Sequence, residues 1–223
     1  MTTPPPALRV LRVSNTDLRH ADLVALAHDA ERAGLDAILI GDDGDTGPDP
    51  IAAAAALAPL TTGLGLIPEV DTARQHPFGL ARRLTGLDQV STGRAGWAPR
   101  DTEPQRLVEA VRIITALWDS WPDDVIRADK EAAVWVDVER VRSVDLDGAF
   151  WSVHAPLDLG RSLQGQPLLI VPTVWPRDIP VPVEALAADA VTIHETVPSE
   201  PLPHAPTTPT LRARAGLEAR VAA

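Results

Sequence analysis

Short apolar runs and amphipathic helical segments alternate along most of this chain. Leu8 to Val13 and Asp36 to Ile40 predict strands, and the apolar residues between them, from Leu23 to Ala33, recur at helical spacing. The second strand is apolar almost throughout, as in a strand covered on both faces. Alternation of this kind is typical of βα units built around a parallel sheet.

The same alternation continues to about residue 193. Further strands are predicted at Leu64 to Val70, Arg94 to Trp97, Leu168 to Val171 and Asp189 to Ile193. Further helices are predicted at Ile51 to Leu57, Phe78 to Val90 and Val183 to Ala188. One more helix carries an apolar stripe from Leu107 to Trp121, and Thr102 with Gln105 predicts its capping box.

Two segments depart from this alternation. Between Val134 and Leu157 the apolar residues alternate more nearly with a period of two, and Asp147-Gly148 predicts the turn of a β-hairpin. From Val197 to Pro209 the chain is rich in proline, which excludes helix and central strand there. We therefore expect one domain over residues 1–196 and a Pro-rich tail over residues 197–223.

Composition excludes several classes of function. A net charge of -11 argues against nucleic acid and anionic membrane as partners, because both require a surplus of Lys and Arg. The absence of cysteine excludes disulfides, thiolate nucleophiles and cysteine-based metal sites. No apolar run is long enough to span a bilayer, and the first residues lack the basic and apolar regions of a signal peptide. These features predict a cytoplasmic protein.

One block of sequence is far more specific than the alternation. It is RRLTGLDQVSTGRAGW, from Arg82 to Trp97, preceded by His76 to Ala81 and followed by Leu117 to Trp121. In this order the segments resemble the bacterial luciferase-like flavin monooxygenases, in the branch of the nitrilotriacetate and dibenzothiophene-sulfone monooxygenases. The resemblance covers most of Leu23 to Leu169, and the final TLRARAGLEAR resembles the C-terminal end of that family.

This resemblance implies an α/β fold of the TIM-barrel type, a parallel β/α barrel. The C-terminal signature arrives directly after the sixth predicted strand, so the barrel is expected to be shortened to about six βα units, with the β-hairpin as an excursion. The family also implies reduced FMN as cofactor, O2 as co-substrate, a small organic substrate and a separate flavin reductase. We expect a homodimer through the second and third helices, because the edge strands of an open barrel must be covered.

Candidate site residues follow from the fold, since βα barrels carry their chemistry at the C-terminal ends of the strands. These positions are Asp42, Asp71, Thr72, Trp97, Ala98, Thr173, His194 and Glu195. By resemblance, the first six would contact the flavin. His194 and Glu195 are the candidates for an acid/base pair, with a purely structural role as the alternative.

The chain departs from the family pattern at two of these positions. Ala98 replaces an asparagine of the family and offers no side-chain hydrogen bond to a flavin. Pro172 to Arg177 replaces a small-residue turn that cradles the FMN phosphate, and its prolines remove backbone donors. Two hypotheses result: a flavin monooxygenase with a degraded site, and a catalytically silent scaffold that binds a ligand or another subunit.

Other conspicuous residues have structural explanations. The acidic run from Asp42 to Gly47 lacks the spacing of a calcium loop and is interpreted as a solvated loop, so no metal site is predicted. His76 precedes a helix, where capping is as plausible as ligand contact, and Trp118 and Trp121 are expected to pack in a core or a dimer. We expect structural roles for four charged residues of the specific block: Arg82, Arg83, Asp88 and Arg94.

Overall fold

The computed structural model describes residues 8–16, 23–43, 47–171, 175–176, 178–179, 181, 185–187, 190–200, 202 and 210–217. Seven of its strands belong to one sheet: β1 (Leu8–Ser14), β2 (Ala37–Gly41), β3 (Gly65–Asp71), β4 (Gly96–Arg100), β9 (Leu168–Val171), β10 (Leu186–Ala187) and β11 (Val191–His194). Its helices are α1 (Leu23–Arg32), α2 (Pro50–Leu57), α3 (Pro77–Val90), α4 (Pro104–Asp119) and α5 (Leu211–Arg214).

The seven strands are all parallel, and their order across the sheet is β10-β9-β4-β3-β2-β1-β11. β11 therefore pairs with β1 at the opposite edge from β10, with Leu8 opposite Val191. The sheet is curled like part of a β/α barrel. This confirms the predicted fold class, including the six predicted strands, to which the structure adds β10.

The helices cover the outer face of the sheet because their apolar stripes match its outward-facing residues. One core cluster joins α3 and α4 to β4, and a second joins α1 and α2 to β1 and β2. Trp97 and Trp118 meet edge to face in the first cluster, with ring centroids 5.8 Å apart. Trp121 donates from its indole nitrogen to the carbonyl of Leu157 at 2.6 Å. Trp118 of α4 and Trp121 just after it therefore pack in or against the core, as one of the sequence alternatives proposed.

An excursion between α4 and β9 contains two antiparallel hairpins. The first pairs β5 (Ile126–Asp129) with β6 (Val134–Val136), and the second pairs β7 (Val144–Asp147) with β8 (Ser152–Ala155). Gly148 lies in the turn of the second hairpin, where its N–H donates to the carbonyl of Trp151 at 2.9 Å. The predicted hairpin and its turn are thus confirmed.

The amino-terminal end of the curled sheet is closed by α5. Its Leu211 is fully buried in the same cluster as Leu8, Val10 and Ile67, which face the inside of the curl. A Cβ added to Gly65 would lie 2.6 Å from the Leu211 side chain, so only glycine permits this approach. The C-terminal segment is therefore part of the core that holds the sheet together.

Buried polar groups also lie at the amino-terminal end of the curled sheet and bond its segments to one another. Asp88 is fully buried and accepts hydrogen bonds from the backbone N–H groups of Ala95 and Gln164, both at 3.2 Å, and from the Gln164 amide. The Gln164 side chain in turn accepts from the backbone N–H of Arg212 in α5 at 2.8 Å. Burial raises the pKa of Asp88. This chain of bonds connects the end of α3 to α5.

Arg94 lies beside this network and is also buried. Its guanidinium donates to the carbonyls of Ala58 and Leu64, both at 2.7 Å, and to the hydroxyl of Thr61 at 2.9 Å. Arg82 pairs with Asp158 at 3.0 Å, and Arg83 with Asp49. The four charged residues of the specific block thus make the contacts of structural residues.

Two local predictions were wrong. The N-cap of α4 is Glu103, whose carboxylate accepts from the N–H of Gln105 at 3.3 Å, so Thr102 forms no capping box. Leu186 and Ala187, predicted as helix, pair with β9 as a strand because they meet its open edge.

The Pro-rich tail predicted over residues 197–223 lies partly outside the described residues. No described helix has the length and apolar character to cross a membrane.

Candidate functional site

The carboxyl ends of β1 to β4 bring charged side chains together at one opening of the curled sheet. Successive residues of a strand face opposite sides, so Arg12, Glu69 and Arg100 share the inner face with the apolar residues Val10, Leu39 and Ile67. We call the six residues that meet here the mouth cluster: Arg12, Asp42, Asp43, Glu69, Asp71 and Arg100. The mouth end of the sheet is therefore polar, whereas the opposite end is closed by apolar packing.

Arg100 is the centre of the mouth cluster. Its guanidinium lies 3.1 Å from a carboxylate oxygen of Glu69, 3.3 Å from one of Asp42 and 3.8 Å from one of Asp71. It also donates to the backbone carbonyl of Asp42. The Nε contact with Glu69 is close enough for an ion pair but is not aligned as a hydrogen bond. One cation is therefore shared by three carboxylates.

A second ion pair joins the first two strands of the mouth. Arg12 donates to Asp43 at 2.7 Å, and this hydrogen bond lowers the pKa of Asp43 and raises that of Arg12. Burial raises the pKa of Glu69, and the charge of Arg100 offsets this only in part. Glu69 therefore keeps its proton to a higher pH than an exposed glutamate does.

Thr72 is bound into a further ion pair beside the mouth. Its hydroxyl donates to Asp101 at 2.6 Å, and Asp101 also accepts two hydrogen bonds from Arg106, at 2.8 and 2.6 Å. Burial alone would raise the pKa of Asp101, but the bonds from Arg106 and Thr72 outweigh it and lower the pKa. Thr72 itself is fully buried. Its hydroxyl is therefore committed to a neighbour within the protein.

The structure brings together only some of the residues predicted for the site. Asp42, Asp71 and Thr72 lie at the mouth, and Ala98 faces the inside of the sheet opposite Glu69. Trp97 lies on the other face of β4, fully buried between the sheet and α4. Its position places it in the structural core, apart from the mouth. Thr173 lies outside the described residues.

His194 and Glu195 stand at the end of β11, at successive positions of the chain. His194 pairs in register with Leu11, whose side chain belongs to the outer helical layer. Glu195 is exposed, and its charge contributes to the raised pKa of Arg12. His76, the other histidine near the mouth, caps α3 by accepting from the N–H of Phe78 at 3.2 Å.

A cavity of about 200 Å³ opens beside the mouth cluster. Asp42 and Glu69 line one side, and Asp49 with Arg74 lines the side toward α2 and α3. Asp49 caps α2 and pairs with Arg83, and Arg74 pairs with Asp71. Small-molecule sites in proteins range from about 300 to 1,000 Å³, so this cavity is smaller than most of them.

Arg12 and Glu69, which dominate the mouth together with Arg100, were not predicted as site residues. Arg12, Glu69 and Arg100 lie within strands that were predicted as apolar segments, or just beyond the predicted end of one. The signal was available in β3, where Ile67, Glu69 and Asp71 occupy alternate positions on one face. The contacts of Arg100 with carboxylates from two other chain segments, β3 and the end of β2, required the folded structure.

Three comparisons with known proteins agree with this architecture. Residues 8–192 match the family model of the luciferase-like monooxygenases. The N-acetyl-S-(2-succino)cysteine monooxygenase of Bacillus subtilis (strain 168) is 32% identical over an alignment length of 174 residues, and the match covers 65% of this chain and 40% of the relative. The dibenzothiophene-sulfone monooxygenase of Rhodococcus erythropolis is 29% identical over 157 residues, covering 62% of this chain and 35% of the relative.

A solved structure shares the fold. The long-chain alkane monooxygenase superposes with a TM-score of 0.69 at 21% identity, covering 78% of this chain and 53% of that one. The chain thus spans about half of the solved neighbour and less than half of these two curated relatives. At this identity the superposition supports the fold alone.

Proposed function

Because this chain belongs to the luciferase-like monooxygenase family, whose members are flavin-dependent, we propose that it keeps the family scaffold without the FMN site. In this proposal the chain acts as a ligand-binding or subunit-interaction protein. The observation that carries it is the internal pairing of the mouth, since each described guanidinium there already contacts a carboxylate of the same chain.

Charge is the first argument against FMN at this mouth. The phosphate of FMN is a dianion and requires cationic or N–H donors to compensate it. Four carboxylates of the mouth cluster face two guanidiniums, so the described cluster is itself negative. An incoming phosphate would have to displace a carboxylate from Arg100 or Arg12, and it would meet the remaining carboxylates at short range.

Space and hydrogen bonding are the second argument. A cavity of about 200 Å³ is smaller than the usual range for small-molecule sites, and FMN is a large ligand. Among the residues predicted to hold the flavin, the Thr72 hydroxyl is used by Asp101 and Ala98 has no polar side chain. The described residues therefore do not fit FMN.

The second candidate is the enzyme itself. The family match and the names of the relatives favour a monooxygenase that receives reduced FMN from a separate reductase and oxygenates a small organic substrate. The raised pKa of Glu69 also supports this candidate, because burial shifts the pKa of this carboxyl group upward, the direction that suits it to acid/base work.

FMN titration distinguishes the two candidates. The scaffold proposal expects the purified protein to be colourless and to quench FMN fluorescence only weakly, with a Kd above about 1 mM. Thr72→Val and Asp42→Asn should leave this behaviour unchanged. Copurification of a yellow protein, or low-micromolar FMN binding that either substitution weakens, would favour the enzyme.

We also propose that a second copy of this chain covers α2 and α3. Three outward residues of these helices are small, with Ala52 and Ala56 exposed on α2 and Gly79 exposed on α3, so another helical surface can approach closely at these positions. Sedimentation velocity at micromolar concentration should show a dimer. Arg82→Glu, at the exposed surface of α3, should shift the population toward monomer, whereas Arg140→Glu on the excursion should not.

A further inference from the structure

A second cavity, of about 220 Å³, lies between α4 and the β7–β8 hairpin, outside the curled sheet. Its apolar floor consists of Val108 and Ile113 from α4, Leu146 from β7, and Ile179 from the segment after β9. Val108 and Ile113 are buried, and Leu146 and Ile179 are half-buried. At about 30 Å³ for each water molecule, the cavity has room for roughly seven waters, or for a ligand the size of one substituted ring.

The cavity is a built feature because the hairpin is fixed to α4 beside it. The Glu109 carboxylate accepts three hydrogen bonds from the hairpin turn, from the backbone N–H groups of Ala149, Phe150 and Trp151, at 2.8 to 3.0 Å. A Cβ added to Gly148 would lie 2.1 Å from a Glu109 oxygen, so a larger residue there would displace the Glu109 carboxylate from the turn. Both walls are therefore held in place without a ligand.

The acidic groups around this cavity are already engaged. Glu109 is committed to the hairpin, and Asp147 contacts the ring nitrogen of His154 at 3.1 Å. By contrast, the exposed guanidinium of Arg112 has no carboxylate partner within the described part of the chain. Gln105 lies two helical turns before Arg112 and therefore on the same face of α4. The rim thus offers one cation and one amide above an apolar floor.

From this arrangement we infer a binding site for a small apolar carboxylate. The ring or chain of the ligand contacts Val108, Ile113 and Leu146, and its carboxylate accepts from Arg112 and Gln105. A guanidinium binds a carboxylate through two parallel N–H···O bonds. A carboxylate is therefore a better partner for Arg112 than an anion that accepts only one bond. A monoanion also suits a chain of net charge -11 better than a phosphate dianion does. The site goes beyond the proposed function and does not depend on FMN.

The test is a ligand-detected NMR titration of the full chain with benzoate, with benzamide as the neutral isostere. Saturable benzoate binding is expected, with benzamide weaker by about tenfold, because it lacks the charge-assisted bond. Arg112→Gln should weaken benzoate by about tenfold or more and leave benzamide nearly unchanged. Arg112 is exposed, so this substitution is compatible with folding, which circular dichroism would verify.

Two further variants make the outcome decisive. Gln105→Trp, at an exposed position on the rim, should abolish binding of both probes by filling the cavity. Arg140→Gln, a matched loss of an arginine outside the cavity, should leave both affinities unchanged. The inference is overturned if folded wild-type protein shows no saturable benzoate binding, if Arg112→Gln binds benzoate as well as wild type, or if Arg140→Gln loses as much affinity.

Discussion

The two ends of the curled sheet use polar groups in opposite ways. At the amino end Asp88 and Arg94 are buried and bond mainly to backbone groups, beside a leucine that closes the curl. At the mouth Arg12 and Arg100 remain partly exposed and bond mainly to other side chains. Buried bonds to backbone fix a structure, whereas half-exposed ion pairs contribute little to stability and can rearrange.

The largest effect is expected for Asp88→Ala. This substitution leaves the N–H groups of Ala95 and Gln164 buried without their acceptor, so the free energy of unfolding should fall by about 3 to 5 kcal/mol. Urea unfolding followed by circular dichroism measures the loss. Asp158→Ala, at an exposed ion pair, is the control and should change stability by less than about 0.5 kcal/mol. Equal losses of unfolding free energy in the two variants would show that the buried Asp88 stabilises the fold no more than an exposed ion pair does.

Leu211→Ala should have the next largest effect. It leaves an empty space against Gly65 and Gly96, and truncation of a buried leucine costs about 2 to 5 kcal/mol. Leu163→Ala, at a leucine that is 60% exposed, is the matched control and should cost less than about 0.5 kcal/mol. If the two variants unfold at the same urea concentration, α5 does not contribute to the core.

At the mouth, Arg100→Gln should change stability much less. The substitution leaves Asp42, Glu69 and Asp71 without their shared cation, but the guanidinium side chain is 41% exposed and water can solvate the carboxylates. The expected loss is about 1 kcal/mol, in the same urea experiment. A loss as large as that of Asp88→Ala would contradict the contrast between the two ends.

The smallest effect is a pH dependence from Glu69. Burial raises its pKa in the folded state, so the folded protein holds this proton at pH values where the unfolded chain has released it. Stability from this group is therefore present below about pH 4.3, the ordinary value for glutamate, and is lost as the pH rises through the folded pKa. Glu69→Gln should remove this decline, so the variant should gain stability relative to wild type between pH 4 and pH 7. The opposite slope would show that the pKa is lowered.

The fold of the amino-terminal half was predictable because local patterns decide it. The bounds of β1 to β4 and α1 to α4 follow from apolar periodicity and agree with the structure within about three residues. The strand β10 and the place of β11 in the sheet, next to β1, were not predictable in this way. Leu186–Ala187 becomes a strand only because β9 presents an open edge, and β11 pairs with β1, which lies more than 170 residues away in sequence.

The candidate site was predictable only in part. Asp42, Asp71 and Thr72 were placed at the mouth by the rule that barrel chemistry follows the strands. The partners of these side chains were not predictable, because Arg100 and Asp101 lie at the end of another strand, β4, and contact these residues across the mouth. Trp97 was assigned to the site from its neighbours in sequence, whereas the alternation of β4 turns it toward α4.

Hydrogen exchange followed by mass spectrometry, with and without 1 mM FMN, tests the contrast between the two ends most directly. We predict slowest exchange in the peptides around Asp88 to Ala95, where the buried residues Ser91, Gly93 and Ala95 have hydrogen-bonded backbone N–H groups. We also predict that FMN leaves exchange unchanged at the mouth, in peptides covering Asp42, Asp71 and Arg100. Protection of these mouth peptides by FMN, at concentrations that saturate, would contradict the claim that the mouth is filled by its own ion pairs.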